Sequence, residues 1–490
     1  MKLRRWLVPS LGVAIWLAIF LGQSLSDWRQ VLISADGDAC LHRRIGEWMI
    51  EHRAVLRTEQ FSHTRFGAPV IAKEWLSEIA YAAAERALGW NGAVLIAALL
   101  IATTLWLLHR WLLAEGCELL LATGLVLLAA LASSHHWLAR PHLVTPLFAL
   151  LFAWQLRVFD RAHEPRPARL FLILVPAMWL WSNLHGAFFT GFVLIGVYAA
   201  GNLTRPGKAM PFAALGVACL LVSFLNPNGW RLHTHIVEFL REPVIAKFAN
   251  EFRSPNFHSG AMRGFLLQLL VLGAVLGAAR SRWRGVDVIL VLVWGYFALQ
   301  AVRNIPIFAI IVTPMLAEHW SRYFREARET GWLGAYRRVS GNLTGLDRAA
   351  GGGALVAVAI VAVIFAQARG AIATDVLPER FPVAAVQWLR AHPDSVRGEM
   401  FNDYAWGGYL MLALAERRVF VDGRNDFYGP ALIEEFNKAD DAAPGWDEVL
   451  RKYDVGWTIL PVAHRLNALL ALEAGWKRVY ADDVVAIYSR

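Results

Sequence analysis

The sequence predicts an α-helical polytopic membrane protein that carries a small α/β domain at its C-terminal end. Two observations carry this prediction. The first is composition: 57% of the 490 residues are apolar and only 18% are charged, and the apolar residues gather in runs of about 18 or more, enough for a helix to cross a bilayer. The second is a change of texture after about residue 372, where short helical and strand-like segments alternate. The 22 Trp residues suit the same reading, because indole rings settle at the headgroup level.

The elements follow in order. Met1 to Arg5 is basic and precedes an apolar stretch over 6–25. Gln23-Ser24-Leu25-Ser26 makes a poor cleavage site, so this stretch reads as a retained span rather than a signal peptide. A long polar segment covers 26–90. Further spans are expected over 91–109, 117–134, 142–157, 169–183, 186–202, 210–226, 263–279, 286–302, 304–318 and 352–371, about eleven in all. Beyond them, Phe381–Ala391, Ala431–Lys438 and Trp446–Tyr453 read as helices, Arg418–Val421 and Trp457–Leu460 as strands, and Lys477–Tyr480 with Val484–Tyr488 as a closing hairpin. The expected domains are 1–372 in the membrane, with 26–90 as its first outer loop, and 373–490 as an α/β domain.

Charge fixes the expected faces. With the N-terminus cytoplasmic, the inside loops carry Lys2, Arg4 and Arg5; Arg110; Arg157, Arg161, Arg166 and Arg169; Arg205 and Lys208; Arg280, Arg282 and Arg284; and Arg322, Arg325, Arg328, Arg337, Arg338 and Arg348. The short outside loops carry only Arg140 and Arg303. This is the positive-inside asymmetry. It places the protein in a bacterial inner membrane with 26–90 and 373–490 on the periplasmic side. The net charge of +9 does not point to nucleic acid, because the basic residues are spread between apolar runs and form no single patch. Cys40, Cys117 and Cys219 match no zinc or redox spacing.

Sorted by face, the unusual polar residues fall on the outside. They are Asp36-Gly-Asp38, His42, Phe61-Ser-His63-Thr64, Lys73-Glu74-Trp-Leu76, Ser134-His-His-Trp137, Arg140-Pro-His142, Ser182-Asn-Leu-His185-Gly186, Asn226-Pro-Asn-Gly229, Glu251-Phe-Arg-Ser-Pro255 and Arg303-Asn-Ile-Pro306. Ionisable groups at span ends are costly unless they face a wet cavity or one another, so a ring of them on one face implies a shared polar cavity. Each also has a plain structural reading. Asp-Gly-Asp suits a turn, His-Gly a kink between spans, and Arg-Pro-His an anchor with Pro opening a helix. As chemistry, Asp36 and Asp38 can share a divalent cation such as Mg²⁺ or Mn²⁺, or one can act as a base beside the other. Arg140, Arg303 and Lys73 are natural partners for a phosphate.

An acidic pair just beyond the first span resembles the GT-C superfamily of integral-membrane glycosyltransferases. The remaining outer motifs are similar to bacterial membrane proteins of the glycosyltransferase family 39-like kind. Asn402-Asp-Tyr-Ala-Trp406-Gly-Gly-Tyr-Leu410 and Val421-Asp422-Gly-Arg424 resemble, distantly, the soluble domain of oligosaccharyltransferases, with Tyr404-Ala-Trp406 standing where that family has Trp-Trp-Asp. The resemblance implies an inverting glycosyltransferase that takes a sugar from a polyprenyl-phosphate carrier. Asp36 would be base or metal ligand and Asp38 its partner. His63, Lys73, Glu74, Arg140, His142, His185 and Arg303 would bind the donor, and Trp406, Asp422 and Arg424 the acceptor, which is a glycan, a lipid or a protein. Two other classes remain open. A flippase of lipid-linked saccharide calls for polar residues through the midplane and commonly an internal repeat, and neither is visible. A non-catalytic scaffold of an envelope-polysaccharide machine would keep the fold without keeping Asp36 and Asp38 beside basic groups.

Overall fold

The structure, a computed structural model, describes residues 6–241, 250–278, 283–326 and 331–490. Lys2, Arg4, Arg5, Arg280, Arg282 and Arg328 of the basic clusters, and the side chain of Arg325, lie outside the described residues.

Every apolar stretch read as a span holds a helix among its described residues. Trp90–Ala114, Leu119–His136, Pro141–Arg161, Pro167–Leu184, Pro206–Ser223 and Gly260–Ala278 are each long and apolar enough to cross a membrane. Leu11–Leu25 and Trp28–Ser34 reach that length only together, across a 70° bend. Gly186–Gly201, Gly285–Gln300 and Gly353–Ala368 are apolar but shorter. Ile305–Glu326 completes the set and packs against Leu119–Ser133, Val144–Arg161 and Gly285–Gln300.

Helix Val144–Arg161 has two chemically different ends. Its 18 residues span about 27 Å, with Arg140 just before its start and Arg157 one turn before its end. Arg157 is 2% exposed and reaches Glu115 at 3.1 Å, Asp287 at 2.8 Å and Glu318 at 2.6 Å. Arg161 also meets Glu318, and Arg284 meets Asp160. The loops on this end are therefore not the excess of free cations that their Arg content suggests. Carboxylates on three helices and in the turn after Trp90–Ala114, invisible as a group in the sequence, neutralise much of it.

At the other end, helix Asp38–His52 lies against helix Trp75–Leu88. Gly46 sets their separation, since a Cβ there would stand 2.1 Å from the Glu78 carbonyl oxygen.

The C-terminal segment holds a four-stranded sheet in the order β1-β2-β4-β3. The strands are β1 Glu399–Asn402, β2 Val455–Pro461, β3 Lys477–Ala481 and β4 Val485–Ser489. β1 and β2 are parallel, β4 is antiparallel to both β2 and β3, and Val383–Ala391, Asn425–Asp440 and Trp446–Lys452 are helices. The expected strand over Arg418–Val421 is not a member of this sheet. The Asn402 side chain accepts the Phe420 N–H at 2.8 Å and donates to the Val421 carbonyl at 2.9 Å, standing in for a neighbouring strand. Val419 instead bridges Ser62, so this stretch pairs with the first outer segment.

Candidate functional site

The Asp36–Asp38 turn is built by backbone contacts that only glycine permits. A Cβ on Gly37 would stand 2.5 Å from the Ala405 carbonyl oxygen, and one on Gly408 2.2 Å from the Gly37 carbonyl oxygen. The turn therefore rests directly on the Tyr404–Gly408 corner of the C-terminal segment. Within it, Asp36 Oδ1 accepts the Asp38 N–H at 3.1 Å, the Asx turn expected of such a sequence. Asp38 begins helix Asp38–His52, where a carboxylate meets the positive end of the helix dipole.

Arg140 joins the two carboxylates. Its Nη2 lies 3.0 Å from Asp36 Oδ2, and its Nη1 bonds Asp38 Oδ2. A planar guanidinium has five donors in a fixed fork, so one side chain serves both acids. Pro141 holds Arg140 extended, at φ −137° and ψ 161°, as expected for a residue before proline. Burial, with the charge of Asp36 added, pushes Asp38 up to about 6 against the pull of Arg140. Asp36 is the more open of the two, 36% exposed against 29%.

Helix Trp75–Leu88 contributes a second group. His42 Nδ1 lies 3.2 Å from Glu78 Oε1 and 3.7 Å from Glu74 Oε2, and the ligand atoms of these three residues all fall within 4.8 Å of one another. His185 Nε2 stands 3.2 Å from Glu74 Oε1, while its Nδ1 accepts the Ala187 N–H at 3.2 Å. That second bond fixes the neutral ring's proton on Nε2, pointing at Glu74. Burial and the neighbouring cationic charge of Arg303 hold His185 well below the ordinary histidine value, and burial raises Glu74. For His42, burial pulls downward, but the bond to Glu78 and the charge of Glu74 outweigh it and hold the ring above its usual value.

The other expected donor-binding cations are each partnered. Lys73 Nζ lies 2.5 Å from Asp426 Oδ2, which His235 Nε2 also meets at 2.8 Å. Arg303 Nη1 lies 3.0 Å from Glu251 and stacks over Phe252 at 4.4 Å. The sequence singles out neither Asp426 nor His235, and it places Glu251 in an outer segment without a role; only the fold makes these residues neighbours of Lys73 and Arg303.

These groups line one cavity of about 1100 Å³. Its walls include Asp36, Asp38, His42, Lys73, Glu74, Glu78, Arg140, His142, His185, Glu251 and Arg303, and, from the C-terminal segment, Tyr404, Gly423, Arg424, Asn425 and Asp426. A smaller apolar pocket of about 80 Å³ shares His136, His142, His185 and Arg303, and runs between the helices past Ile101, Leu105, Ile307 and Ile310.

Three expected residues lie elsewhere. His63 bonds the Met400 carbonyl at 3.0 Å and packs edge-on against Phe420, so it sits in the seam between the first outer segment and the sheet. Trp406 is buried and donates to the Arg380 carbonyl at 2.8 Å. Asp422 is 0% exposed and accepts from Arg424 and from Tyr428 at 2.7 Å. Arg424 reaches the cavity wall while bonding Glu59 at 2.7 and 3.1 Å. Neither Trp406 nor Asp422 presents an open surface to an acceptor. The motifs that suggested one are built for packing, with Gly407, Gly408 and Gly423 as the points of close approach.

No family model matches the chain, and no curated protein matches it in sequence. Solved structures do match in shape. The oligosaccharyltransferase AglB from Archaeoglobus fulgidus, in complex with an inhibitory peptide and a dolichol-phosphate, superposes with a TM-score of 0.62 at 12% identity, over 92% of this chain and 69% of that one. ArnT from Cupriavidus metallidurans bound to undecaprenyl phosphate gives a TM-score of 0.54 at 15% identity, over 98% of this chain and 97% of that one. The chain is a polytopic membrane protein with a GT-C-like fold, the fold of these solved structures.

Proposed function

We propose that this GT-C-fold protein is a glycosyltransferase that moves a sugar from a polyprenyl-phosphate carrier to an acceptor at the periplasmic face of a bacterial inner membrane. One observation carries the reading. A cavity of about 1100 Å³ at one end of the membrane helices brings the Asp36–Asp38 pair, the Arg140 fork, Lys73 and Arg303 to the same walls, with an apolar pocket running on between the helices. A phosphate-linked sugar with a hydrocarbon tail has those needs. The solved neighbours of this shape hold dolichol-phosphate and undecaprenyl phosphate.

In this reading Asp36, the more open carboxylate, takes the proton from the acceptor's nucleophilic atom. That atom bonds to the anomeric carbon from the face opposite the phosphate. The bond from anomeric carbon to phosphate oxygen breaks, and the polyprenyl phosphate leaves with the electron pair. The configuration at the sugar inverts. Arg140 holds Asp36 and Asp38 in place, and this leaves the phosphate to Arg303 and Lys73. Each of those spends one donor on a carboxylate and keeps others for a phosphate oxygen. The acceptor enters beside the wall formed by Tyr404 and by Gly423 to Asp426.

The test is direct. The purified full chain is incubated with a radiolabelled polyprenyl-phosphate sugar and membrane extract, and the label is followed out of the carrier lipid. The reading expects time-dependent transfer, and a label that stays on the carrier under all acceptor conditions contradicts it.

A further inference from the structure

The expected place for a divalent cation was the Asp36–Asp38 pair, but there the positive charge is already supplied. Arg140 bonds both carboxylates, and a metal would have to displace it. The neighbouring group has the opposite balance. Glu74 and Glu78 are one helical turn apart and so share a face of their helix, with side chains 11% and 7% exposed. Between them they have one imidazole, His42. The nearest lysine, Lys73, is taken by Asp426. Two buried carboxylates facing one imidazole leave net negative charge even when the ring is protonated, which a protein interior tolerates poorly.

A second observation points to a ligand. Glu78 Oε2 is fully buried and has no hydrogen-bond partner among the described residues, although its other oxygen faces His42. A buried carboxylate oxygen without a donor is rare and asks for a reason. Each of the three residues can offer one atom within 4.8 Å of the others, and a closing-in of a few tenths of an ångström brings all three to the roughly 4.4 Å that bonds of about 2.2 Å can span.

We infer that His42, Glu74 and Glu78 bind one divalent first-row cation, of the Zn²⁺ or Mn²⁺ kind, on the cavity wall. One imidazole and two carboxylates are a mixed nitrogen and oxygen set, which suits these ions better than Ca²⁺. His185 is not a ligand. Its Nδ1 accepts a backbone N–H, so its Nε2 carries the proton and donates to Glu74 Oε1. It orients the carboxylate, as groups around a metal centre commonly do. Gly46 is what brings His42 within reach of the two acids, by letting its helix lie against the Glu78 carbonyl. The three side chains leave the remaining coordination positions open toward the cavity, where an oxygen of a bound molecule can enter. The inference stands on these contacts and not on the transfer reaction.

Metal binding by itself tests it. The full chain is stripped with chelator, loaded with Mn²⁺ or Zn²⁺, desalted and analysed for bound ion. One ion per chain is expected in the unaltered protein. Glu78→Gln and His42→Gln should each weaken binding by more than about tenfold, whereas Asp38→Asn should bind as the unaltered protein does. Pulsed EPR of the Mn²⁺-loaded unaltered chain should show coupling to a single imidazole nitrogen, a readout that needs no variant to fold. An absence of retained ion overturns the inference. So do retention undiminished in both variants, loss of the ion in Asp38→Asn, and an EPR signal without nitrogen coupling.

Discussion

Gly423 lies so close to Asp38 that a Cβ on it would stand 2.1 Å from Asp38 Oδ1. The C-terminal segment thus forms the back of the acidic turn as well as a wall of the cavity. Gly423→Ala forces Asp38 to move while Arg140 still holds its other oxygen. Small displacements of reacting groups can cost up to about a hundredfold in rate. Transfer should therefore fall by tenfold or more, with a much smaller change in unfolding temperature. Unchanged kinetics in this variant would detach the C-terminal segment from the chemistry.

The acid limb of the pH–rate profile should centre near pH 6. Asp38 is held at about 6, and below that value it takes a proton and loosens its bond to Arg140. Activity should thus fall as pH drops through 6 and level off above it, with the limb belonging to the coupled pair of acids. The folded value lies above the ordinary 3.8, so the native protein binds this proton more tightly than the unfolded chain. Its contribution to stability is therefore greatest at low pH and declines as pH rises from about 4 to about 6. Arg140→Lys replaces a fork by a point charge, and should shift the limb to higher pH. A profile flat between pH 5 and 8 would contradict this account of the pair.

Arg424 fastens the first outer segment to the C-terminal segment. Its guanidinium meets Glu59, whose side chain is 0% exposed, and Asp422, also 0% exposed. Arg424→Ala leaves two buried carboxylates unpaired. Breaking such a pair typically costs about 3–5 kcal/mol. The variant should unfold at a lower temperature and release the C-terminal segment sooner in limited proteolysis. Arg424→Lys should not restore it, since one ammonium cannot satisfy two carboxylates in this geometry. Wild-type melting in Arg424→Ala would mean the seam is held without Arg424, by the Phe61–Val419 backbone contacts and the His63 and Thr64 bonds to the Met400 and Phe420 carbonyls.

Topology is open to test at the C-terminus. If the Asp36 end of the bundle faces the periplasm, so does Arg490. Alkaline phosphatase fused after Arg490 should then be active, and a fluorescent reporter that folds only in the cytoplasm should stay dark. The reverse pair of results would invert the faces.

Much of this was legible in the sequence, and for physical reasons. A helix that crosses a bilayer must satisfy its own backbone and be apolar along its length, so its stretch of sequence declares itself. The outer polar motifs were legible as a set because charge is costly at span ends. The residues that line the cavity unannounced were not. His235 and Asp426 occupy unremarkable segments, Glu251 stands in an outer segment that does not reveal its partner, and the carboxylates around Arg157 come from separate elements. Glu78 sits one turn past Glu74 in a helix whose outer face is ordinary. In the C-terminal segment the glycines of Trp406-Gly-Gly-Tyr and Asp422-Gly-Arg were read as part of a binding motif. Their close approaches to Gly37, Val421 and Asp38 show packing, which a pattern of residues cannot distinguish from recognition.

The measurement that bears most directly on the central claim is carrier-to-acceptor transfer by Asp36→Asn beside the unaltered protein. Asn keeps the size of the side chain and leaves Arg140 bonded to Asp38, so the fold should be retained, as a matching melting temperature would show. Removing a carboxylate that accepts a proton in the transition state costs roughly two to four orders of magnitude. The account predicts a loss of that size, unrelieved by added Mg²⁺ or Mn²⁺. Full transfer activity in a correctly folded Asp36→Asn protein would contradict it, and would leave the cavity without its base.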